Sequence, residues 1–179
     1  MGTAARPSTI RPQGQLNAPN IHQSYARRRK ANVVGSRGQG RKFRIPYCVA
    51  VVDAGGHLVA FVRQDGALIG SVDLAIDKAA TARIFDKETS DLATLAQPGK
   101  PLFGIQESNA GKVVIFGGGV PVVLDGTIVG AVGASAGTVE QDIAVAEAAI
   151  AALGHAAQSS GAPGRGARLP TNRRMRLES

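Results

Sequence analysis

The pattern of apolar and polar residues divides the chain into a patterned middle and two unpatterned ends. Apolar runs begin at Ile45 and recur as far as Leu153, whereas Gly, Pro, Ser, Gln, Asn and Arg dominate residues 1–44 and 154–179. Segments of that composition bury too little apolar surface to fold alone. We therefore predict one folded domain over residues 45–153. Residues 1–44 are predicted to be a basic, disordered or atypical segment, and residues 154–179 a basic flexible tail.

Two valine-rich runs at the start of the folded part predict a β-hairpin. The runs cover residues 47–52 and 58–63, and the residues between them are Asp53-Ala54-Gly55-Gly56. Val favours strands, and a glycine-containing turn of this length tolerates the positive φ angles that a hairpin needs. We expect the two strands to pair antiparallel.

Helical spacing replaces the strand pattern after residue 70. Apolar or small residues recur at intervals of three and four over residues 72–84, which predicts a helix with Ser71 as its N-cap. A second, short helix is predicted to begin after Thr89 or Ser90 and to end before Pro98-Gly99. Residues 100–111 have no clear period and predict a loop.

Strand patterns resume after this loop. Three apolar runs predict strands over residues 112–116, 121–124 and 127–134, with Asp125-Gly126 as a hairpin turn between the last two. Hairpins without an alternating strand–helix–strand pattern favour an antiparallel sheet. The predicted fold class is therefore α/β (α+β), an antiparallel sheet with helices packed against it.

The last element is an alanine-rich amphipathic helix over residues 138–153. Thr138 and Gln141 have the spacing of a capping box, in which each side chain bonds the other residue's backbone N–H. Gly154 is a typical residue to follow a helix, and we predict that the helix stops there.

The three glycines Gly117, Gly118 and Gly119 follow an apolar run, as glycines do in phosphate-binding loops. A P-loop needs Gly-Lys-Ser/Thr, and a dinucleotide fingerprint needs a helix directly after the glycines. Neither pattern is present here. No Gly-Lys-Ser/Thr occurs, and a predicted strand at 121–124, not a helix, follows the glycines. Two interpretations stay open for these glycines: a backbone N–H nest for an acid group, or a bulge or tight connection that needs glycine geometry.

The net charge of +8 conceals a division of charge along the chain. Residues 1–44 carry ten Lys and Arg and no acid, whereas residues 45–153 carry six Lys and Arg against twelve Asp and Glu. The basic cluster at 25–30 is compatible with a nucleic-acid arm. No recognised nucleic-acid module accompanies it, and charge alone gives only non-specific affinity, so we expect no nucleic-acid function.

Cysteine count and hydropathy indicate a cytoplasmic protein. The single Cys48 excludes an intramolecular disulfide, and no apolar run approaches the ~18 residues of a membrane span. The N-terminus lacks the apolar core of a secretory signal. We expect a location in the cytoplasm and no membrane partner.

Three stretches carry a resemblance to a known family: VAVVDAGGHLVAFVRQDGA, SVDLAIDKAATA and VIFGGGVPVVLDGTIVGAVGASAGTVEQD. They are similar to the GlcG/HbpS-like haem-binding family, which includes the C-terminal domain of PduO-type corrinoid adenosyltransferases. The resemblance covers residues 45–153. It implies a profilin-like antiparallel sheet flanked by helices, assembled as a homo-oligomer, either a dimer or a larger assembly.

The chain departs from that family at residues 27–44, where members have an alanine-rich helix. Poor helical periodicity and Gly35, Gly38 and Gly40 stand there instead. One hypothesis is that this segment is read in a shifted frame, which the coding DNA would test.

The resemblance implies that the protein binds haem or a related tetrapyrrole, in an accessory or sensing role. The alternative is an enzyme or ligand-binding subunit that acts on a small organic acid in a catabolic pathway, and a third option is a structural oligomerisation domain. We assign no catalytic residue, because Ser135 lacks the strand-to-helix elbow of a serine nucleophile. The sequence thus favours a protein that is not an enzyme, with acid–base roles for Asp53, His57 or Lys78 left open.

Eight residues are candidates for ligand binding. His57 is a candidate axial haem ligand, or else a polar turn residue. Glu140 and Asp142 are candidate iron ligands, or else residues that stabilise the helix dipole. Lys78 and Asn109 would line an acid-binding cleft with the three glycines; each of the two is otherwise a solvated surface residue. The full predicted set is His57, Lys78, Asn109, Gly117, Gly118 and Gly119 for the cofactor, and His57, Glu140 and Asp142 for a metal.

Overall fold

The structure, a computed structural model, describes the backbone of residues 43–159 and the side chains of residues 43–152. The predictions made for residues 1–42 and 160–179 lie outside this range. Among the described residues, no helix is long and apolar enough to cross a membrane.

Four strands form one antiparallel sheet in the order β2-β1-β4-β3. The strands are β1 (Cys48–Asp53), β2 (Leu58–Arg63), β3 (Gly119–Leu124) and β4 (Thr127–Ser135). Both predicted hairpins are confirmed. The β3–β4 turn has positive φ at Asp125 (49°) and Gly126 (74°), as Asp-Gly turns in hairpins require.

Three α-helices lie wholly within the described residues: α1 (Ser71–Ile84), α2 (Thr89–Leu95) and α3 (Val139–Ser159). Alternate residues of β1 point to opposite faces of the sheet. Val49 and Val51 pack in a cluster with residues of α3, whereas Cys48, Ala50 and Val52 pack in a second cluster with alanines of α1. The two longer helices therefore cover opposite faces, which confirms the predicted fold class.

Small residues let α1 lie unusually close to the sheet. A side chain on Gly133 of β4 would overlap the carbonyl oxygen of Ala75 and would approach within 2.6 Å of the Ala79 backbone nitrogen. Alanine and glycine therefore make up most of this close-packed interface, in a chain that has no tryptophan and few other aromatic residues.

The predicted strand over residues 112–116 is wrong. Val113 and Val114 are buried, as an apolar run should be, but they pair with no strand. The Val114 N–H donates instead to the Thr81 hydroxyl of α1 at 3.1 Å, and this hydroxyl donates to the Lys112 carbonyl at 3.4 Å. A side chain on α1 thus replaces the ladder partner that the pattern led us to expect.

Two helix boundaries also differ from prediction. Gly70 occupies the N-cap position of α1, and Ser71 is the first helical residue. Helix α3 does not stop at Gly154 but continues to Ser159, because a glycine permits a helix end without imposing one. The capping box is confirmed: the Thr138 N–H donates to Gln141 Oε1 at 3.0 Å, and the Gln141 N–H donates to Thr138 Oγ1 at 3.4 Å.

Candidate functional site

Six of the eight candidate residues separate into two groups at opposite ends of the sheet. His57 follows the turn at the end of β1. Gly117 and Gly118 precede β3 and Gly119 begins it, beside the level at which Ala134 pairs with Val49. Val49 and Asp53 are four residues apart along β1, which separates the two levels by about 13 Å at ~3.3 Å per residue. We call the two groups the hairpin end and the glycine end.

The turn at the hairpin end is held by Asp53. Its Oδ1 accepts the backbone N–H of Gly55 at 2.9 Å and that of His57 at 3.1 Å. The Asp53 N–H donates in turn to the His57 carbonyl at 3.0 Å. Residues 53–57 therefore form a compact loop whose carboxylate is already oriented by the backbone.

The same carboxylate faces the His57 ring. Nδ1 of His57 lies 3.5 Å from Asp53 Oδ1, while the His57 side chain is 83% exposed. The ring folds back over the turn, since a side chain on Gly55 would come within 2.7 Å of Nδ1. With Nδ1 directed at a carboxylate, Nε2 on the far side of the ring is available to a ligand.

The electrostatics of this turn favour an ionised carboxylate. Partial burial raises the pKa of Asp53. The backbone N–H groups of His57 and Gly55, together with the imidazole, lower it by more, so the pKa lies below its ordinary value. Asp53 therefore presents a negative charge to the imidazole at neutral pH.

The glycine end contains a buried ion pair between α1 and α3. Lys78 Nζ donates to Asp142 Oδ2 at 2.6 Å and to the Ala134 carbonyl at 3.1 Å. The Lys78 side chain is fully buried and that of Asp142 is 5% exposed. The expectation of a solvated Lys78 is therefore wrong, and burial lowers the pKa of Lys78 more than its bond to Asp142 raises it.

The second oxygen of Asp142 binds the turn that leads into α3. Oδ1 accepts the backbone N–H groups of Ala136 and Gly137, both at 3.0 Å. Asp142 therefore satisfies donors at the positive end of the helix as well as an ammonium group. This geometry is that of a structural carboxylate, and an iron ion at Asp142 stays a prediction.

Tyr47 adds a buried hydroxyl to the glycine end. Its side chain is fully buried, and its hydroxyl lies near Asp142 and Gly137 without a hydrogen bond of ordinary geometry. Burial, together with the charge of Asp142, raises the pKa of Tyr47 to about 12. The phenol is therefore neutral at physiological pH.

The three glycines are buried and packed against both helices. A side chain on Gly117 would meet Ile143 at 2.7 Å and Val139 at 2.9 Å, and one on Gly118 would meet the Ala134 carbonyl at 2.7 Å and Lys78 Nζ at 2.9 Å. Gly118 also has a φ of +114°, which side chains rarely adopt. The tight-connection interpretation of these glycines accounts for all three positions.

Thr89, at the start of α2, completes the packing around Gly119. Its hydroxyl accepts the Gly119 N–H at 2.9 Å, and the threonine is fully buried. One of the N–H groups predicted to bind an acid group is therefore already used inside the protein.

Phe116 covers the ion pair from the outside. Its ring centroid lies 4.5 Å from Lys78 Nζ, and the side chain is 37% exposed. An aromatic face attracts a cation and is more effective where water is excluded.

Asn109 and Glu140 belong to neither cluster. Asn109 is exposed in a short turn, where its Oδ1 accepts the Ser108 hydroxyl at 3.0 Å. Glu140 is exposed, and its own backbone N–H and the Thr138 hydroxyl lower its pKa. Within the described residues no group of three or more His, Cys, Asp and Glu is placed to hold a metal ion.

Sequence reasoning missed the pairing of Lys78 with Asp142 and the cover by Phe116. Both partners were selected, but as exposed ligands on separate helices. The available signal was the position of Lys78, which falls among the small residues of the α1 face and not among its polar ones.

Comparison with known families bears on these two ends. The profile of a family described as "Haem degrading protein HbpS-like" matches residues 29–151, which is more than half of the chain. The chain belongs to the HbpS-like family. The match begins before residue 45, so it includes part of the segment that we expected to be atypical.

Relatives and solved structures agree with this membership. An uncharacterised 15.0 kDa protein from the dhaT–dhaS intergenic region of Citrobacter freundii is 43% identical over 109 residues, or 61% of this chain and 77% of that protein. The corrinoid adenosyltransferase PduO of Salmonella typhimurium is 40% identical over 64% of this chain, but the match spans only 34% of PduO. A crystal structure of a PduOC:heme complex superposes with a TM-score of 0.68 and 36% identity, covering 70% of this chain and 91% of that one.

Proposed function

We propose that this HbpS-like protein binds haem, or a related tetrapyrrole, at the hairpin end, with His57 as an axial ligand. The supporting observation is the state of His57: an exposed imidazole whose Nδ1 faces the Asp53 carboxylate, with Nε2 left available. Histidines that ligate metals typically contact a carboxylate or carbonyl through the other ring nitrogen. The structure of the PduOC:heme complex supports the choice of ligand.

The residues present fit such a group in a limited way. Asp53 would orient the imidazole through Nδ1, and Gly55 leaves room for the ring to hold that orientation. Leu58, which follows His57, is 47% exposed and offers an apolar contact for a porphyrin face. Haem would supply a redox-active iron at this position; the protein's own residues orient the imidazole and hold Asp53 ionised.

We further propose an accessory or sensing role, in the cytoplasm and as a homo-oligomer. At the glycine end the ionisable side chains of Lys78, Asp142 and Tyr47 are all buried, and no described residue there combines an accessible nucleophile with an oriented base. The haem-degrading description of the family favours a second candidate, in which bound haem is degraded by this protein. An enzyme or binding subunit for small organic acids is the remaining alternative.

Titration with hemin tests the proposal. We expect a saturable shift of the Soret band in the full chain, weakened at least ~10-fold in affinity by His57→Ala. The matched control replaces the other two histidines, His22 and His155, by Ala and should leave the affinity unchanged. An unchanged affinity in His57→Ala would exclude His57 as the ligand, and the absence of any saturable shift would exclude haem.

Incubation of the hemin complex with a reductant and oxygen separates the two haem candidates. Binding alone predicts that the Soret band persists over many hours. Its progressive loss, with release of iron, would favour degradation.

A further inference from the structure

The charge pair at the glycine end lies against a partly exposed aromatic ring. Lys78 Nζ contacts the Asp142 carboxylate, the Ala134 carbonyl and the Phe116 ring. The first two belong to buried residues, whereas Phe116 is 37% exposed. Of these three contacts, the Phe116 ring is the one that reaches the surface.

The segment that carries this ring packs against both members of the Lys78–Asp142 pair. Gly118 lies so close to Lys78 and Asp142 that any side chain there would contact both. Its carbonyl accepts the Ala134 N–H at 2.8 Å, and the Ala134 carbonyl accepts Lys78 Nζ. The pair, the end of β4 and the glycine segment thus form one connected set of bonds.

The ring can move without the backbone. Residues 113–118 are not part of the sheet, so no ladder of hydrogen bonds fixes Phe116. Gly117 and Gly118 are tightly packed, which leaves rotation of the side chain as the motion of lowest cost. Exposed side chains change rotamer within nanoseconds.

We propose that the Phe116 side chain is a gate over the Lys78–Asp142 pair: its ring keeps water from the ammonium group, and its rotation releases the segment from Phe116 to Gly119. Water that reaches the pair raises the local dielectric constant and weakens the attraction that fastens the two helices to this segment. The released state exposes backbone groups that are buried in the closed one.

This gate bears on the acid-binding role predicted for the glycines. Gly117, Gly118 and Gly119 are buried in the closed state, so an acid group can reach their N–H groups only after release. That consequence rests on the acid-binding prediction, whereas the gate itself does not.

Hydrogen exchange of the full chain, measured by mass spectrometry, tests the gate. In Phe116→Ala we expect exchange in peptides covering residues 113–120 and 134–142 to quicken by roughly five- to thirtyfold. A peptide covering the β1–β2 hairpin, residues 48–63, should not change. Phe116→Leu keeps an apolar cover without an aromatic face and should give a smaller increase than Phe116→Ala.

Two results would overturn the gate. One is unchanged exchange at the glycine segment in Phe116→Ala; the other is an equal increase in the hairpin peptide, which indicates general destabilisation. Acetylation by acetic anhydride gives an independent measurement. In the wild type, Lys78 should be labelled more slowly than the exposed Lys100. In Phe116→Ala, Lys78 should be labelled faster than it is in the wild type. No gain in Lys78 labelling would contradict the proposal.

Acetate, as a probe, separates the gate from its consequence. Added to Phe116→Ala, it should slow exchange at residues 117–119 if these N–H groups bind an acid. Unchanged exchange with acetate would reject the acid-binding role. It would not bear on the gate, which is tested by hydrogen exchange and by acetylation of Lys78.

Discussion

The hairpin end and the glycine end use the same kinds of residue in opposite ways. Each has a carboxylate that accepts two backbone N–H groups and faces a basic side chain: Asp53 with His57, and Asp142 with Lys78. At the hairpin end the basic side chain is 83% exposed, whereas at the glycine end it is fully buried. The exposed imidazole of His57 has one ring nitrogen available to bind a ligand. The buried ammonium group of Lys78 has its partners inside the protein and is suited to stabilising the fold.

The largest expected difference between the ends is the effect of removing Lys78. Lys78→Met leaves the Asp142 charge buried without its partner, and the free energy of unfolding should fall by about 3–5 kcal/mol. The matched change Lys100→Met, at an exposed lysine, should stay within ~0.5 kcal/mol of the wild type. Urea denaturation of both variants gives the comparison, and equal losses would contradict a structural role for the pair.

Glycine replacement gives the next largest difference. Gly118→Ala combines an unfavourable φ of +114° with contacts under 3 Å, and we expect a loss of about 2–4 kcal/mol. Gly56→Ala, at the hairpin end, has a φ of +79° but open space around it, and should cost only about 1 kcal/mol. Thermal unfolding of the two variants measures the difference between their losses of stability. Similar losses would show that close packing at Gly118 adds little to the cost of its positive φ.

Alkaline titration should affect the glycine end through Tyr47. Its pKa of about 12 in the folded protein exceeds the value of about 10 in the unfolded chain, so its contribution to stability is present below pH ~10 and is lost as the pH rises towards 12. Lys78, whose pKa is lowered by burial, acts in the opposite sense and at lower pH, below its ordinary value of 10.5. The test is therefore the difference between wild type and Tyr47→Phe, in which the alkaline loss should be smaller. Parallel curves for the two would argue against a buried phenol.

Acid titration should give the smallest effect, and at the hairpin end. Because the pKa of Asp53 is lowered on folding, its contribution is present above the unfolded value of about 4 and is lost as the pH falls below it. Asp53→Asn should flatten this part of the stability curve relative to the wild type. Denaturation midpoints of both proteins across the acid range check the prediction, which fails if the two curves run parallel.

Much of the fold was predictable from the sequence because its signals are local. Valine runs and Asp-Gly or Gly-Gly turns gave both hairpins, and Thr138 with Gln141 gave the start of α3. The apolar run at residues 112–116 led to a wrong strand prediction. Apolar character alone does not distinguish a strand from a buried segment that is hydrogen-bonded to a helix side chain such as Thr81.

The candidate site was less predictable because its contacts are between residues distant in the sequence. Lys78 and Asp142 are 64 residues apart, and no spacing rule relates them. Gly118 and Gly119 pack directly against Lys78, and a ligand-binding role for these residues stays a prediction. His57 was selected as a single imidazole in a turn, and its relation to Asp53 depends on a ring position that the sequence does not specify.

The measurement that tests the central claim most directly is amide chemical-shift mapping during titration with zinc protoporphyrin. It reports, in one experiment, which end of the sheet meets the ligand. We expect the perturbed amides to lie at Asp53–Leu58, with Phe116–Gly119 unaffected. Perturbation confined to Phe116–Gly119 would contradict the assignment of binding to the hairpin end and stability to the glycine end.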